Sequence, residues 1–147
     1  MKIFLVVLLI TSCSLYEPYE YDFDKSDLYY DDYSGINSYC DIGTWMNDRV
    51  EYIADRYGDD WASPVETIER GYGDCEDFAR LFLNILFIRF GIKGNMVLVE
   101  TTRTYVNGGD VNHAYVEIDG KMYESQYGWR VDKIKVGWRY THNELFY

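Results

Sequence analysis

The sequence predicts an α+β domain in which a buried helix is followed by antiparallel strands. Helix-spaced apolar residues fill the stretch from 41 to 91 and give way to β-rich runs after Gly91 and Gly94. An Asp119-Gly120 pair then separates two alternating segments, the strongest short hairpin signal. Helices followed by antiparallel strands, rather than alternating with parallel ones, give the α+β order.

The first element is predicted over Asp41–Tyr57, where Trp45, Met46, Val50, Ile53 and Tyr57 share one helical face and Gly58 is the stop. Ser63-Pro64-Val65-Glu66 starts a short helix running to about Glu69, with serine as cap, proline at the first position and glutamate at the third. A glycine-rich turn, Gly71-Tyr72-Gly73, leads to the central helix. There Phe78, Ala79, Leu81, Phe82, Ile85, Leu86 and Ile88 recur at helical spacing and Gly91 ends the run. Asp74 is placed as cap, with Asp77 three residues on to complete a capping box. Met96–Thr102 reads as a strand, Asn107–Asp110 as a loop, His113–Glu124 as a hairpin and Lys133–Tyr140 as a further strand.

The N-terminal part is not read as fold. Residues 1–12 hold one positive charge and an apolar run too short to span a bilayer, the form of a secretory signal. Ile10-Thr11-Ser12-Cys13 resembles a bacterial lipobox, which makes Cys13 the expected lipidation site. An ordinary signal peptide cut near Ser12 is the alternative. Residues 13–38 mix tyrosines with Asp and Glu and show no aliphatic period, so an acidic, extended tether is expected, with the folded domain at 39–147. The expected location is the bacterial cell envelope, with the membrane reached through the lipid.

The chain has 147 residues and 14 basic against 25 acidic side chains, a net charge of −11, or −12 once Lys2 leaves with the signal. No basic patch exists to neutralise phosphates, which argues against nucleic acid as a partner. Three cysteines occur. Cys13 is assigned to the anchor. Cys40 is expected as a small buried residue or free thiol, because pairing it with Cys75 would consume the candidate nucleophile. No Cys/His spacing suits a metal, and with two histidines in the chain neither metal nor cofactor is expected.

Cys75 falls at the first helical position, where unpaired N–H groups and the helix dipole favour a thiolate. A thiol nucleophile needs a base. His142 lies among polar residues near the C-terminus, whereas His113 opens a hairpin strand. With a two-residue Asp119-Gly120 turn, Tyr115 faces Glu124 and His113 faces Gln126, so His113, Tyr115, Glu124 and Gln126 share a face. Glu124 is then the diagonal neighbour of His113 and the first candidate to orient it. Gln126 and Asp132 are the alternatives.

Pro64-Val65-Glu66-Thr67, Gly71-Tyr72-Gly73-Asp74-Cys75-Glu76-Asp77-Phe78-Ala79, His113-Ala114-Tyr115-Val116-Glu117 and Gly120-Lys121-Met122-Tyr123 together resemble the bacterial transglutaminase-like, papain-related superfamily over roughly residues 61–126. The resemblance implies a Cys–His–acid triad on a helix packed against an antiparallel sheet, with Cys75 as nucleophile and His113 as base. The usual third residue is an aspartate, and the matching position here holds Glu124. The implied chemistry is acyl transfer on a protein or peptide substrate, by a cysteine peptidase or amidase when water is the acceptor and a transglutaminase when an amine is. A binding or scaffolding lipoprotein that keeps the fold without turnover is the competing reading. The four tryptophans, Trp45, Trp61, Trp129 and Trp138, are expected to pack.

Overall fold

The computed structural model describes residues 28–54, 60–104, 110–131 and 136–142. The chain order is α1 (Tyr39–Asn47), β1 (Glu51–Tyr52), α2 (Pro64–Arg70), β2 (Tyr72–Gly73), α3 (Cys75–Phe90), β3 (Asn95–Thr104), β4 (Asp110–Ile118), β5 (Lys121–Glu124), β6 (Trp129–Val131) and β7 (Val136–His142). The five long-range strands form one antiparallel sheet in the order β6-β5-β4-β3-β7, and β1 pairs with β2 in a separate parallel ribbon. Helices on one face of an antiparallel sheet make the fold α+β, as the element order predicts.

Helix α3 is the core of the molecule. Phe78, Ala79, Leu81, Phe82, Ile85 and Leu86 are fully buried, and they meet Met96, Leu98, Ala114, Val116 and Ile118 from one face of the sheet. The burial in β4 alternates, with Ala114, Val116 and Ile118 inward and His113, Tyr115 and Glu117 less buried. Gly91 closes the helix in the left-handed conformation at φ 66°, with its N–H on Phe87 O at 2.8 Å. In the hairpin Ile118 faces Lys121 and Val116 faces Tyr123, the register a two-residue turn dictates. Asp119 and Gly120 both take positive φ, 49° and 71°, as that turn requires.

Three expectations need correction. Helix α1 ends at Asn47 rather than Tyr57; Val50 N–H still returns to Met46 O at 2.8 Å, and the chain runs extended only from Glu51. Glu51 N–H and Ile53 N–H donate to Gly71 O and Gly73 O, each at 2.9 Å, so a strand pairing overrides the local helical pattern. The tether does not run to Ser38. Leu28, Tyr33 and Ile36 are buried in the core, and the buried Asn84 of α3 bonds both Tyr29 N–H (3.1 Å) and Tyr29 O (2.8 Å). Cys40 is a free thiol, one of the two expected alternatives, but it is exposed rather than buried, 3.8 Å from Gly128 O. Strand β6 was not anticipated. Cys13, Asp132 and residues 13–27 lie outside the described residues.

The turn after β5 is pressed against α1. Tyr127 N–H and Gly128 N–H return to Glu124 O at 3.2 and 2.7 Å, and Asn47 Nδ2 holds Gln126 O at 2.6 Å. The backbones touch where glycines permit it. A Cβ on Gly43 would stand 2.6 Å from the Tyr127 carbonyl carbon, and one on Gly128 would strike the Tyr39 carbonyl. Gly128 also sits at φ 70°. Gly128→Ala is therefore expected to lower stability by about 2–4 kcal/mol through overpacking and backbone strain. Gly35→Ala, where a Cβ meets nothing within 4 Å, should stay within about 0.5 kcal/mol of the parent. Denaturant midpoints of the three proteins check both.

Candidate active site

The turn that carries Cys75 is assembled from both sides. Helix α2 begins with a capping box, Ser63 Oγ accepting from Glu66 N–H (3.2 Å) and Glu66 Oε2 accepting from Ser63 N–H (2.8 Å). It ends on Gly71 at φ 71°, which turns the chain into β2. Two residues later α3 starts at Cys75. Asp77 governs this start. Its Oδ2 accepts from Asp74 N–H at 3.4 Å, and its Oδ1 accepts from Ala62 N–H at 2.7 Å. Gly73 lies directly on Asp77, since a Cβ there would stand 2.7 Å from Asp77 Cβ. Arg80, one turn along and fully buried, donates through Nη1 to Ala62 O. Both backbone groups of Ala62 are thus held by α3.

Cys75 is buried, and its sulfur has two polar neighbours. The thiol donates to Glu76 Oε2 at 3.1 Å, and the backbone amide of Ala114 acts on it from β4. The sheet register explains the second contact. Ile118 and Lys121 flank a two-residue hairpin turn, so the even-numbered amides of β4 point towards β5. Pairing with β5 ends at Val116, which faces Tyr123. Ala114 is the next even amide beyond that end. Burial, then the Glu76 carboxylate by charge and hydrogen bond, push the Cys75 thiol well above its ordinary range. The Ala114 amide opposes this, and Asp74 adds to the rise.

His113 immediately precedes that amide. Its Nε2 lies 2.8 Å from Glu124 Oε2, both side chains being about four-fifths buried. This is the diagonal contact that the hairpin register implies. Tyr115 stands edge-on to the imidazole at 4.6 Å. With Nε2 on the carboxylate, the assigned tautomer carries its proton there and leaves Nδ1 as the basic nitrogen. Glu124 Oε1 also accepts from Gln126 N–H at 3.5 Å. Gln126 thus meets this acid through its backbone.

Among the other sequence candidates, His142 ends β7 and faces Met96 across the ladder on the far side of β3. The acids and thiol of Asp74, Cys75 and Glu76 have ligand-type atoms within 4.8 Å of one another. They are consecutive residues of one helix start, and the thiol-to-Glu76 bond accounts for their closeness, so they are not read as metal ligands. Trp129 departs from its expected packing role. It is 62% exposed, stacks on Tyr127 at 4.8 Å and faces Glu124 in the β5–β6 ladder. Direct cross-strand partners share a face, so Trp129 lies on the His113–Glu124 side of the sheet. The sequence reading missed three participants: Glu76 as the thiol's partner, the Ala114 amide, and the Asp77–Ala62 clamp. The register held the signal for the second.

The family model of the transglutaminase-like superfamily matches residues 32–132, which is more than half of the chain. The chain belongs to the transglutaminase-like superfamily. A solved structure from Cytophaga hutchinsonii, provisionally named a cysteine protease, is similar at 21% identity and a TM-score of 0.43. That match covers 60% of this chain and 30% of the other, so the chain spans under a third of that protein's length. A comparison with curated proteins returns no match. The superfamily match extends to residue 32, ahead of α1, and so includes the segment that carries the buried Tyr33 and Ile36.

In this superfamily member the helix start also stores a pH dependence. Burial raises the Asp77 carboxyl from the usual 3.8 to about 6, while the Ala62 amide pulls it the other way. The folded state therefore keeps the proton to a higher pH than the unfolded chain does. Folding takes up a proton between about pH 4 and 6, so this group favours the folded state increasingly as pH falls through that window and penalises it fully above pH 6. The contribution is on the order of 3 kcal/mol or less. Urea midpoints measured from pH 4 to 7 should fall less with rising pH in Asp77→Asn than in the parent protein. Parallel curves would remove Asp77 from this role.

Proposed function

We propose that the chain is a lipid-anchored thiol acyl-transfer enzyme of the bacterial envelope, a cysteine peptidase or amidase working through Cys75, His113 and Glu124. The observation that carries the reading is the His113–Glu124 contact of 2.8 Å, made by the residue next to Ala114, whose amide favours the charged form of the Cys75 thiol. A carboxylate on Nε2 gives the imidazole a fixed orientation and a basic Nδ1, which is what a neutral thiol requires of its partner. In the first half-reaction Cys75 loses its proton to His113 and attacks an amide carbonyl. The oxyanion is met by the Cys75 N–H at the open helix start. His113 returns the proton to the leaving amine, and water then releases the acid from the acyl-enzyme.

The substrate class is a protein or peptide, with the exposed Tyr127–Trp129 step as a wall beside Glu124. Transamidation is the second reading. The net charge of −11 attracts a lysine amine as acceptor, and it disfavours acidic substrates.

Labelling by an electrophilic thiol probe at pH 7 tests the pair. Labelling of Cys75 should be lost in Cys75→Ala and fall at least tenfold in His113→Ala. Equal labelling in His113→Ala and the parent would favour a non-catalytic binding lipoprotein. Glu124→Gln should lower turnover of a peptide amide about 10- to 100-fold, and Asp132→Asn much less. The anchor is tested separately: palmitate incorporation should disappear in Cys13→Ser, and incorporation that persists excludes Cys13.

A further inference from the structure

The resting thiol of Cys75 is aimed at Glu76, not at the imidazole. Adjacent residues of a helix do not ordinarily face each other, so the Glu76 side chain has to turn back along the helix start to reach 3.1 Å from the sulfur. Glu76 is 6% exposed. A carboxylate is costly to bury without a donor, and the thiol proton is the donor it receives. The same bond fixes the side chain of the nucleophile. The arrangement is therefore more than a nearby acid. Two buried groups satisfy each other, and the proton that has to leave the sulfur is the proton that holds Glu76.

We infer that Glu76 is a positioning residue that keeps Cys75 as a neutral, hydrogen-bonded thiol until a substrate or reagent engages the site; this rests on the Cys75–His113 reading of the active site. The titratable groups that act on the sulfur are Glu76 on α3 and the capping Asp74; Asp77 follows along α3, and His113 is the β4 neighbour of Ala114. Both acids next to the sulfur, Glu76 and the capping Asp74, oppose a thiolate. Of these, only Glu76 both opposes it by charge and takes its proton in a hydrogen bond. Neutralising Glu76 while keeping its shape should therefore make the thiol more acidic, although the residue lies inside the active site. A residue that served only to cap or pack the helix start would leave the pH profile of the thiol where it was.

The test is the pH dependence of iodoacetamide alkylation of the full chain, read by mass spectrometry on the peptide that carries Cys75, so that the exposed Cys40 does not contribute. Glu76→Gln should move the alkylation profile to lower pH by one unit or more. At pH 7 each unit multiplies the thiolate about tenfold, and the accompanying loss of nucleophilicity leaves a net gain of roughly three- to fourfold. A profile that coincides with the parent, or slower alkylation throughout, overturns the inference; the latter would make Glu76 a base. Should Glu76→Gln fail to fold, Glu76→Asp withdraws the carboxylate by one methylene and should shift the profile the same way by a smaller amount, and an unmoved profile again overturns it. Combining Glu76→Gln with His113→Ala separates this inference from the function. A shift that persists while His113→Ala alone labels like the parent sinks the catalytic pair and leaves Glu76 in place. Loss of labelling in His113→Ala with no shift from Glu76→Gln does the reverse.

Discussion

The structure depends on how the start of α3 is tied to the segment before α2. Asp77 takes the Ala62 N–H and Arg80 takes the Ala62 carbonyl, so one residue of an irregular segment is held at both backbone groups by consecutive turns of a buried helix. Irregular backbone inside a protein has to find such partners or pay the full desolvation of its amides. The clamp also fixes the geometry of everything between its ends. Ala62 leads into the capping box of α2, α2 ends on Gly71, and two residues of ribbon bring the chain to Cys75. Gly73 is required because Asp77 occupies the place of its side chain. The backbone position of Cys75 is thus set by a buried carboxylate two residues further on.

The sheet supplies the opposite wall with little freedom. A two-residue turn at Asp119-Gly120 determines which residues of β4 and β5 face each other, and a slip of one residue would turn every inward side chain outward. That constraint made the His113–Glu124 contact legible in the sequence, since register and alternation alone place the two side chains on one face. It likewise made the ends of α2 and α3 legible, because their caps and left-handed glycines are local chemistry. What was not legible was decided by distant partners. Val50 and Ile53 extend a helical pattern that the chain abandons because Gly71 and Gly73 offer carbonyls to Glu51 and Ile53. Tyr33 and Ile36 look like parts of an acidic tether until Asn84 is seen to bind Tyr29. A buried asparagine in the middle of an apolar helix is the one local hint that something polar must meet it there.

For the site, residue types and their order along the chain pointed to the helix-start thiol and the hairpin histidine. Side-chain direction lay beyond that kind of reading. Glu76 and Asp77 look equivalent as acids in a first helical turn, where both suit the dipole. In the fold they part company. Asp77 turns towards the Ala62 segment and serves the backbone, while Glu76 turns towards the sulfur. The distinction arises from packing on either side of the helix, which no spacing rule encodes.

The competing electrostatic effects at the sulfur can be ranked. A helix start stabilises a negative charge by about 0.3–1 kcal/mol at a surface and up to about 2 kcal/mol when partly buried. Against it stand the burial of Cys75 and the charges of Glu76 and Asp74, and the balance lies with the neutral thiol. The dipole and the Ala114 amide therefore do not create a resting thiolate here. They would lower the energy of one formed transiently, so the proposed acyl transfer would need a base to take the proton. On the proposed reading, the His113–Glu124 pairing would be a requirement of the burial rather than an addition to it. A more exposed cysteine at the same helix start would need the imidazole less, because water would already share the charge.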